Sequence, residues 1–504
     1  MSDTLSQQQL ESYLWGAATI LRGLVDAGDY KQFIFPLVFY KRLSDVWDED
    51  HARAQTAYDG AADLAQAEAD ERFVIPATAH WDRVRAMPKD VGRAIQDAMR
   101  AIEAANPGRL DGIFGDAPWT NKERLPDHTL KNLLEHFSSQ TLSIARVPED
   151  SLGDGYEYLV GKFADDGGST AQEFYTNRTL VHLMAQLLRP QAGESIYDPT
   201  CGTGGMLLSA MAEVKRSGGE HRTLKLYGQE RNHMTASIAR MNLVLHGVED
   251  FDIQRGDTLD RPVFTVGDRL RTFDVVLANP PYSIKRWNRD AWASDVWGRN
   301  FLGTPPRGRA DYAFFQHILK SMDSKTGRCA ILFPHGVLFR RAEAEMRRKL
   351  IEADLIECVL GLGPNLFFNS PMEACVVFCR SRKTADRRDH ILFINAVNEV
   401  TRERALSFLK PEHQQRILTA YEAFADQAGF AKVASLDDVT AHGYSLSIPL
   451  YVRRMVVGAA EDRDERAPAD VWAKWAQEGR SFWRQMDAMV DTLDRQVSEE
   501  AAHG

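Results

Sequence analysis

The stretch SIYDPTCGTGGMLLSAMAEVKRS (residues 195–217) sets a short strand-like run against a glycine-rich turn and then an apolar run at helical spacing. A strand that passes through a tight turn straight into a helix is the opening of a βαβ unit, and the turn needs glycine where backbone must reverse or approach a ligand. The same texture recurs downstream. KLYGQE (225–230) precedes MTASIARMNLVLHG (234–247), FDIQRGD (251–257) precedes a loop, and FDVVLA (273–278) follows. Alternation of this kind predicts an α/β fold with a mainly parallel sheet and helices on both faces. Further strands are expected at RCAILFP (328–334), LIECVLGL (355–362), EACVVFC (373–379) and HILFINAV (390–397), which carries the α/β region to about residue 400.

The flanks read differently. Residues 1–150 look helical, with Leu10, Leu14, Ala17, Leu21 and Leu24 spaced by threes and fours on one core-facing stripe. A second apolar helix is expected over Ile34 to Val46, a solvated Ala-rich helix over Ala52 to Glu71, and a loop at NPGRLDGIFGDAPW (106–119). From Thr401 the chain turns polar and helical again, and EDRDERAPAD (461–470) reads as an exposed charged linker. Beyond it Trp472, Trp475, Phe482, Trp483, Met486, Met489, Val490, Leu493 and Val497 fall near helical spacing, on a face that packs on the chain itself or on a partner. The expected division is therefore 1–150, 151–400 and 401–504.

At 504 residues, 44% hydrophobic and 26% charged, the chain suits a multidomain globular protein. No apolar run is long enough to span a membrane, and no secretory leader pattern opens the chain, so a cytoplasmic location is expected. Cys201, Cys329, Cys358, Cys375 and Cys379 form neither a CxxC pair nor a group with histidines, so neither a disulfide framework nor a metal site is expected. The 61 basic residues against 71 acidic ones leave a net charge of −10. A protein gripping DNA unaided is usually basic, so if DNA is the substrate another subunit supplies much of the grip.

Open parallel sheets bind ligands beyond the C-terminal ends of their strands. There the first strand delivers Asp198, Gly202, Thr203, Gly204 and Gly205. The turn is not GxGxxG and no lysine follows it as in a P-loop, so nucleotide phosphates are not its obvious ligand. Asp198 points instead to a ligand carrying a cationic amino group. Glu230 ends the second strand, where a carboxylate meets a ribose diol, and Asp257 follows the third, placed for an adenine amino group. Three acids at successive strand ends favour an adenosine-type ligand.

The fourth strand ends in Asn279, Pro280, Pro281 and Tyr282. Two prolines remove backbone donors and fix φ, so the turn is stiff. The Asn279 side-chain oxygen and the Pro280 carbonyl can then accept both protons of one exocyclic NH₂, which turns its lone pair toward an electrophile. Tyr282 offers a face for a planar substrate, and a base must leave its duplex to reach such a pocket. The loop WNRDAWASDVWGRN (287–300) and the basic GTPPRGRADY (303–312) follow, either as a plain surface loop or as one that sits on DNA or closes over the pocket.

Asn-Pro-Pro-Tyr after a DPTCGTGG loop resembles S-adenosyl-L-methionine-dependent amino methyltransferases, DNA adenine N6 methyltransferases above all. With GDGYEYLVGKFADDGGSTAQEFYTNRTLVHLM (153–184), GRADYAFFQHILKSM (308–322) and GRCAILFPHGVLFR (327–340), the chain resembles the modification subunits of type I restriction-modification systems over most of positions 5–400. That resemblance implies a Rossmann-like methyltransferase mixed sheet preceded by a helical N-terminal domain and followed by a helical C-terminal tail. It implies that Gln172, Glu173, Phe174, Tyr175, Thr176 and Asn177 lie against the methionine end of the cofactor, although the family usually has proline where Asn177 stands. A second departure, NLFFNSPMEACVVF (365–378), leaves target-base contacts at 368–374 the least transferable. The implied partners are DNA with a flipped adenine, a specificity subunit, a restriction subunit and a second copy of this chain. Two other readings stand beside this one: methylation of a glutamine side-chain amide in a protein, and a non-catalytic scaffold of a defence complex. The long helical flanks disfavour the first and the intact Asn279 and Glu230 the second.

Overall fold

Helix α1 (Gln7–Leu21) starts where Ser6 and Gln9 cap each other reciprocally, and it buries Leu10, Leu14, Ala17 and Leu21. It stops there because Gly23 takes φ of 83°. Leu24 is consequently exposed, and does not continue the stripe as the sequence suggested. The computed structural model describes residues 4–166, 177–364, 366, 373–403 and 406–453. Helix α2 (Lys31–Ala57) runs well beyond the span expected for it, and α3 (Ala62–Asp70) buries Ala65 and Ala69. They are followed by α4 (Trp81–Arg85), α5 (Val91–Ala105), α6 (Asp127–Ser138) and α7 (Glu149–Asp166). One apolar core joins these helices through residues such as Phe35, Phe39, Trp81, Ile102, Phe137, Tyr156 and Phe163.

The α/β part begins with α8 (Arg178–Leu188), β1 (Ser195–Asp198), α9 (Gly205–Arg216), β2 (Lys225–Glu230), α10 (His233–Leu245) and β3 (Phe251–Arg255). A hairpin, β4 (Thr265–Val266) and β5 (Arg269–Leu270), leads to β6 (Val275–Ala278), α11 (Arg289–Ala293) and α12 (Asp311–Lys320). Then come β7 (Arg328–Pro334), α13 (Ala344–Glu352), β8 (Ile356–Leu362), β9 (Ala374–Arg380) and β10 (His390–Ala396). The described part closes with β11 (Thr401–Glu403), β12 (Leu406–Phe408), α14 (Pro411–Ala423), β13 (Ala431–Ser435) and α15 (Leu436–Ala441).

Nine strands form one sheet in the order β13-β10-β8-β9-β7-β6-β1-β2-β3. The pairs linking β3, β2, β1, β6 and β7 are parallel, whereas β9 runs antiparallel to both β7 and β8. The sheet is thus mixed, and two apolar cores cover it. One gathers Leu183, Leu207 and Leu243, and the other Phe315, Leu350 and Val439. All five cysteines are buried and free, as apolar filler would be. Past Thr401 the described chain is not simply helical, because β11 and β12 form a hairpin and β13 adds an antiparallel edge to β10. The described residues form one compact unit ending at Arg453. The tryptophan-bearing segment at 472–497 lies outside the described residues.

Candidate active site

Strand register arranges the candidate residues as a staircase. Asp198 pairs with Gly228, and Glu230 stands two residues further along β2. Glu230 in turn pairs with Arg255, and Asp257 stands two residues beyond that. On the other side of β1, Tyr197 pairs with Val276, so Asn279 lies two residues past the position level with Asp198. Each step is ~7 Å along the neighbouring strand, from the rise per residue of a β-strand. The C-terminal ends of four adjacent parallel strands therefore carry all four residues, Asn279 at one side and Asp257 at the other.

The glycine turn is built by backbone geometry. Gly202 and Gly204 have φ of 53° and 85°, a region that side chains with Cβ avoid. Gly204 caps α9, and its N–H donates to the Cys201 carbonyl at 2.8 Å. The turn lies close over β2, because a Cβ on Gly228 would stand 2.5 Å from Ile253 and 2.8 Å from the Cys201 sulfur. Above Gly202 an added Cβ would meet nothing within 4 Å.

Asp198 is buried, and the Thr200 N–H donates to its Oδ1 at 2.9 Å. Burial, with the nearby Glu230 charge adding to it, pushes this carboxyl up to about 7 against the pull of the Thr200 hydrogen bond. Glu230 accepts from the Gly202 N–H at 3.1 Å and from the Asn232 N–H at 2.7 Å. Asp257 caps its own turn through the Leu259 N–H at 3.0 Å, with Arg231 at 3.6 Å. Thr203 offers its carbonyl to the buried Asn242 side chain at 3.0 Å. Asn177 caps α8 through the Thr179 N–H at 3.0 Å and donates to the Ser407 carbonyl at 2.9 Å, which gives that departure from proline a structural role. Gln172, Glu173, Phe174, Tyr175 and Thr176 lie outside the described residues, as do the target-base positions 368–372.

Past Ala278 the chain turns at Asn279, Pro280 and Pro281 and packs Tyr282 against the core under β1. Burial holds the Tyr282 phenol well above its usual range, so it stays neutral. Ser283 then adopts φ of 50°, and its N–H donates to Asp311 Oδ1 at 2.7 Å. Asp311 is buried at the first residue of α12 and also accepts from Arg340 Nη1 at 2.6 Å. Neither Asp311 nor Arg340 is marked by any local sequence signal, although Asp311 lies in GRADY, within a segment that carries the family resemblance.

The tryptophan loop is anchored inward. Trp292 is buried, and Arg299 lies 4.5 Å from its ring and 4.9 Å from that of Trp297. Arg299 is buried too, pairs with Asp295 at 2.6 Å, and donates to the carbonyls of Thr258 and Leu259 at 2.8 and 2.9 Å. That loop therefore buttresses the turn after β3. Exposed cations remain around the site, namely Lys285, Arg286, Arg307 and Arg309.

A family model described as N-6 DNA Methylase matches residues 147–458, and one described as HsdM N-terminal domain matches residues 10–137. The type I restriction enzyme MjaVIII methylase subunit of Methanocaldococcus jannaschii is 30% identical over 485 residues, covering 89% of this chain and 79% of its own length. The HindI methylase subunit of Haemophilus influenzae is 30% identical over 402 residues, covering 75% of this chain and 85% of its own. The crystal structure of the type I restriction-modification system methyltransferase subunit from Streptococcus thermophilus aligns with a TM-score of 0.78 at 30% identity, over 89% of this chain and 100% of that one. These similarities define the class, an adenine-specific DNA methyltransferase. The chain belongs to the N-6 DNA methylase family, as a methylase subunit of a type I restriction-modification system. Among the described residues no helix is long and apolar enough to cross a membrane.

Proposed function

We propose that the chain binds S-adenosyl-L-methionine along the staircase from Asp198 to Asp257 and methylates N6 of an adenine drawn out of its duplex at Asn279, Pro280 and Tyr282. The observation that carries this reading is the strand register that puts the three acids and Asn279 on one edge of adjacent parallel strands. The residues fit the cofactor: a buried carboxyl with a raised pKa suits a ligand ammonium, and the open space over Gly202 suits close approach.

The cofactor supplies an electrophilic methyl group. Asp198 takes its amino end, Gly202 to Gly205 let it lie against backbone, Glu230 accepts from the ribose hydroxyls, and Asp257 accepts from its adenine. Asn279 and the Pro280 carbonyl accept both N6 protons of the target, and Tyr282 stacks on its ring. Pre-set acceptors spare the reaction the cost of orienting the amine, an effect that reaches ~7 kcal/mol or more in well-oriented systems. The four exposed cations beside the turn are placed to meet DNA phosphates. A net charge of −10 fits a division of labour in which a specificity subunit reads the sequence and two copies of this chain, with or without a restriction subunit, join it.

The test is Asn279→Ala in the assembled complex, supplied with cofactor carrying a labelled methyl group and cognate DNA. Label should stop reaching adenine N6 while cofactor binding persists. Undiminished transfer would remove Asn279 from the reaction.

A further inference from the structure

We propose that Glu157 is a positioning residue for the glycine turn, acting through Asn242; the inference rests on the cofactor reading above. Glu157 lies on α7, in the helical part of the chain, yet its side chain is only 7% exposed and faces the α/β part. A carboxylate so placed needs charged and hydrogen-bonding partners to offset its desolvation. Oε2 accepts from Arg178 Nε at 2.5 Å, with Arg178 Nη2 on the same oxygen. Oε1 accepts from Asn242 Nδ2 at 3.2 Å.

Asn242 is fully buried on α10, and the same Nδ2 donates to the Thr203 carbonyl at 3.0 Å. Its Oδ1 is buried with no hydrogen-bond partner. Both protons of the amide are therefore committed to two acceptors, one on the helical region and one on the turn. Thr203 sits between Gly202 and Gly204, both left-handed, where backbone has little intrinsic preference to hold its shape. Two acids thus fix the peptides on either side of the Gly202–Thr203 bond: Glu230 takes the Gly202 N–H directly, and Glu157 orients the amide that grips the Thr203 carbonyl.

The charge matters because it selects the orientation of Asn242. Facing a carboxylate, a flipped amide would set Oδ1 against two acceptors. Facing a glutamine, which brings a donor of its own, the flip satisfies Oδ1 and strips the Thr203 carbonyl of its partner. Glu157→Gln is nearly isosteric but releases the turn.

The experiment uses the full chain for cofactor binding and the assembled complex for kinetics. Glu157→Gln should raise the dissociation constant and the KM for S-adenosyl-L-methionine about tenfold, in line with loss of one buried charge-assisted hydrogen bond, while kcat and the KM for DNA stay within about twofold, as expected when only cofactor binding is lost. Glu157→Asp, which keeps the charge, should recover part of the loss. Asn242→Ala removes the bridge without touching the Glu157–Arg178 pair, so it keeps the idea testable should Glu157→Gln fold poorly. The double variant should be no worse than either single one, the signature of residues acting in series. Unchanged cofactor KM in folded Glu157→Gln or Asn242→Ala, or equal losses in kcat and both KM values, would overturn the inference. A wild-type chain that binds no cofactor would instead overturn the cofactor reading, and this inference with it.

Discussion

The Ser283 N–H donates to Asp311 Oδ1 at 2.7 Å, so the residue that leaves the Asn-Pro-Pro-Tyr turn with φ of 50° is held by the first residue of α12. Arg340, on the other oxygen, keeps that carboxylate in place. Replacing Asp311 with Asn weakens both bonds and frees the turn that aims Asn279. Displacement of ~1 Å can cost ~100-fold in rate, so Asp311→Asn should lower kcat by ~10–100-fold with cofactor affinity retained. Single-turnover methylation beside a cofactor titration measures both.

Asp198 carries a pH prediction. Its carboxyl is raised to about 7 by burial, so at pH 6 most of it is protonated and a cationic ligand must first expel that proton. Affinity for S-adenosyl-L-methionine should therefore rise as pH climbs from 6 through the Asp198 pKa, until the ligand's own α-amino group, which ordinarily titrates at ~8, begins to lose its charge. Titration calorimetry across that range should show proton release at the low end. In Asp198→Asn the slope should vanish together with most of the affinity; a slope that survives there would assign the effect to another group.

Gly228 is packed under the glycine turn. A methyl at this position meets Ile253 at 2.5 Å and the Cys201 sulfur at 2.8 Å. Gly228→Ala should destabilise the fold by about 1–3 kcal/mol, the usual cost of overpacking, and weaken cofactor binding by lifting the turn. Denaturant titration with and without cofactor separates the two effects.

Arg299 and Asp295 are each 2% exposed, and the guanidinium holds the carbonyls of Thr258 and Leu259. Arg299→Met leaves Asp295 buried without its cation, which typically costs ~3–5 kcal/mol. The turn after β3 that contains Asp257 loses its support as well. The variant should melt earlier and bind cofactor less tightly, while Asp295→Asn with Arg299→Met together should recover much of the stability. A double variant no more stable than Arg299→Met would show that the carbonyl contacts, not the ion pair, set the cost.

The sheet was legible because its strands are short apolar runs bounded by glycine, proline and acids, and because register follows once such runs are parallel. The mixed sheet that the family resemblance implies is present, but the strand pattern alone does not show that β9 is the reversed strand, since EACVVFC reads the same either way along a ladder. Leu24 was misplaced because a stripe of leucines does not announce where Gly23 ends the helix. The sequence left the Trp292 loop open between a plain surface loop and a platform on DNA, and Trp292 is neither, because it lies in the fold, stacked on a buried arginine. Its partner pair, Asp295 and Arg299, stands four residues apart in a segment with no helical periodicity to suggest the pairing. Asp311 carries no mark of its role in the sequence, because its acceptance of the Ser283 N–H is a contact across 28 positions that no local pattern encodes.

Helix α10 has no solvent side to spare. Ile238, Met241 and Leu245 sit in the core of the helical region, while Ala236, Ala239 and Leu243 sit in the core that backs the sheet. It is a party wall, and each of its two faces is cut to a different neighbour. An exchange of the first 140 or so residues between relatives would therefore have to carry matching changes in α10, inside the methyltransferase half. Recombination at the boundary between the two family models should yield chimaeras that fail in solubility before they fail in chemistry.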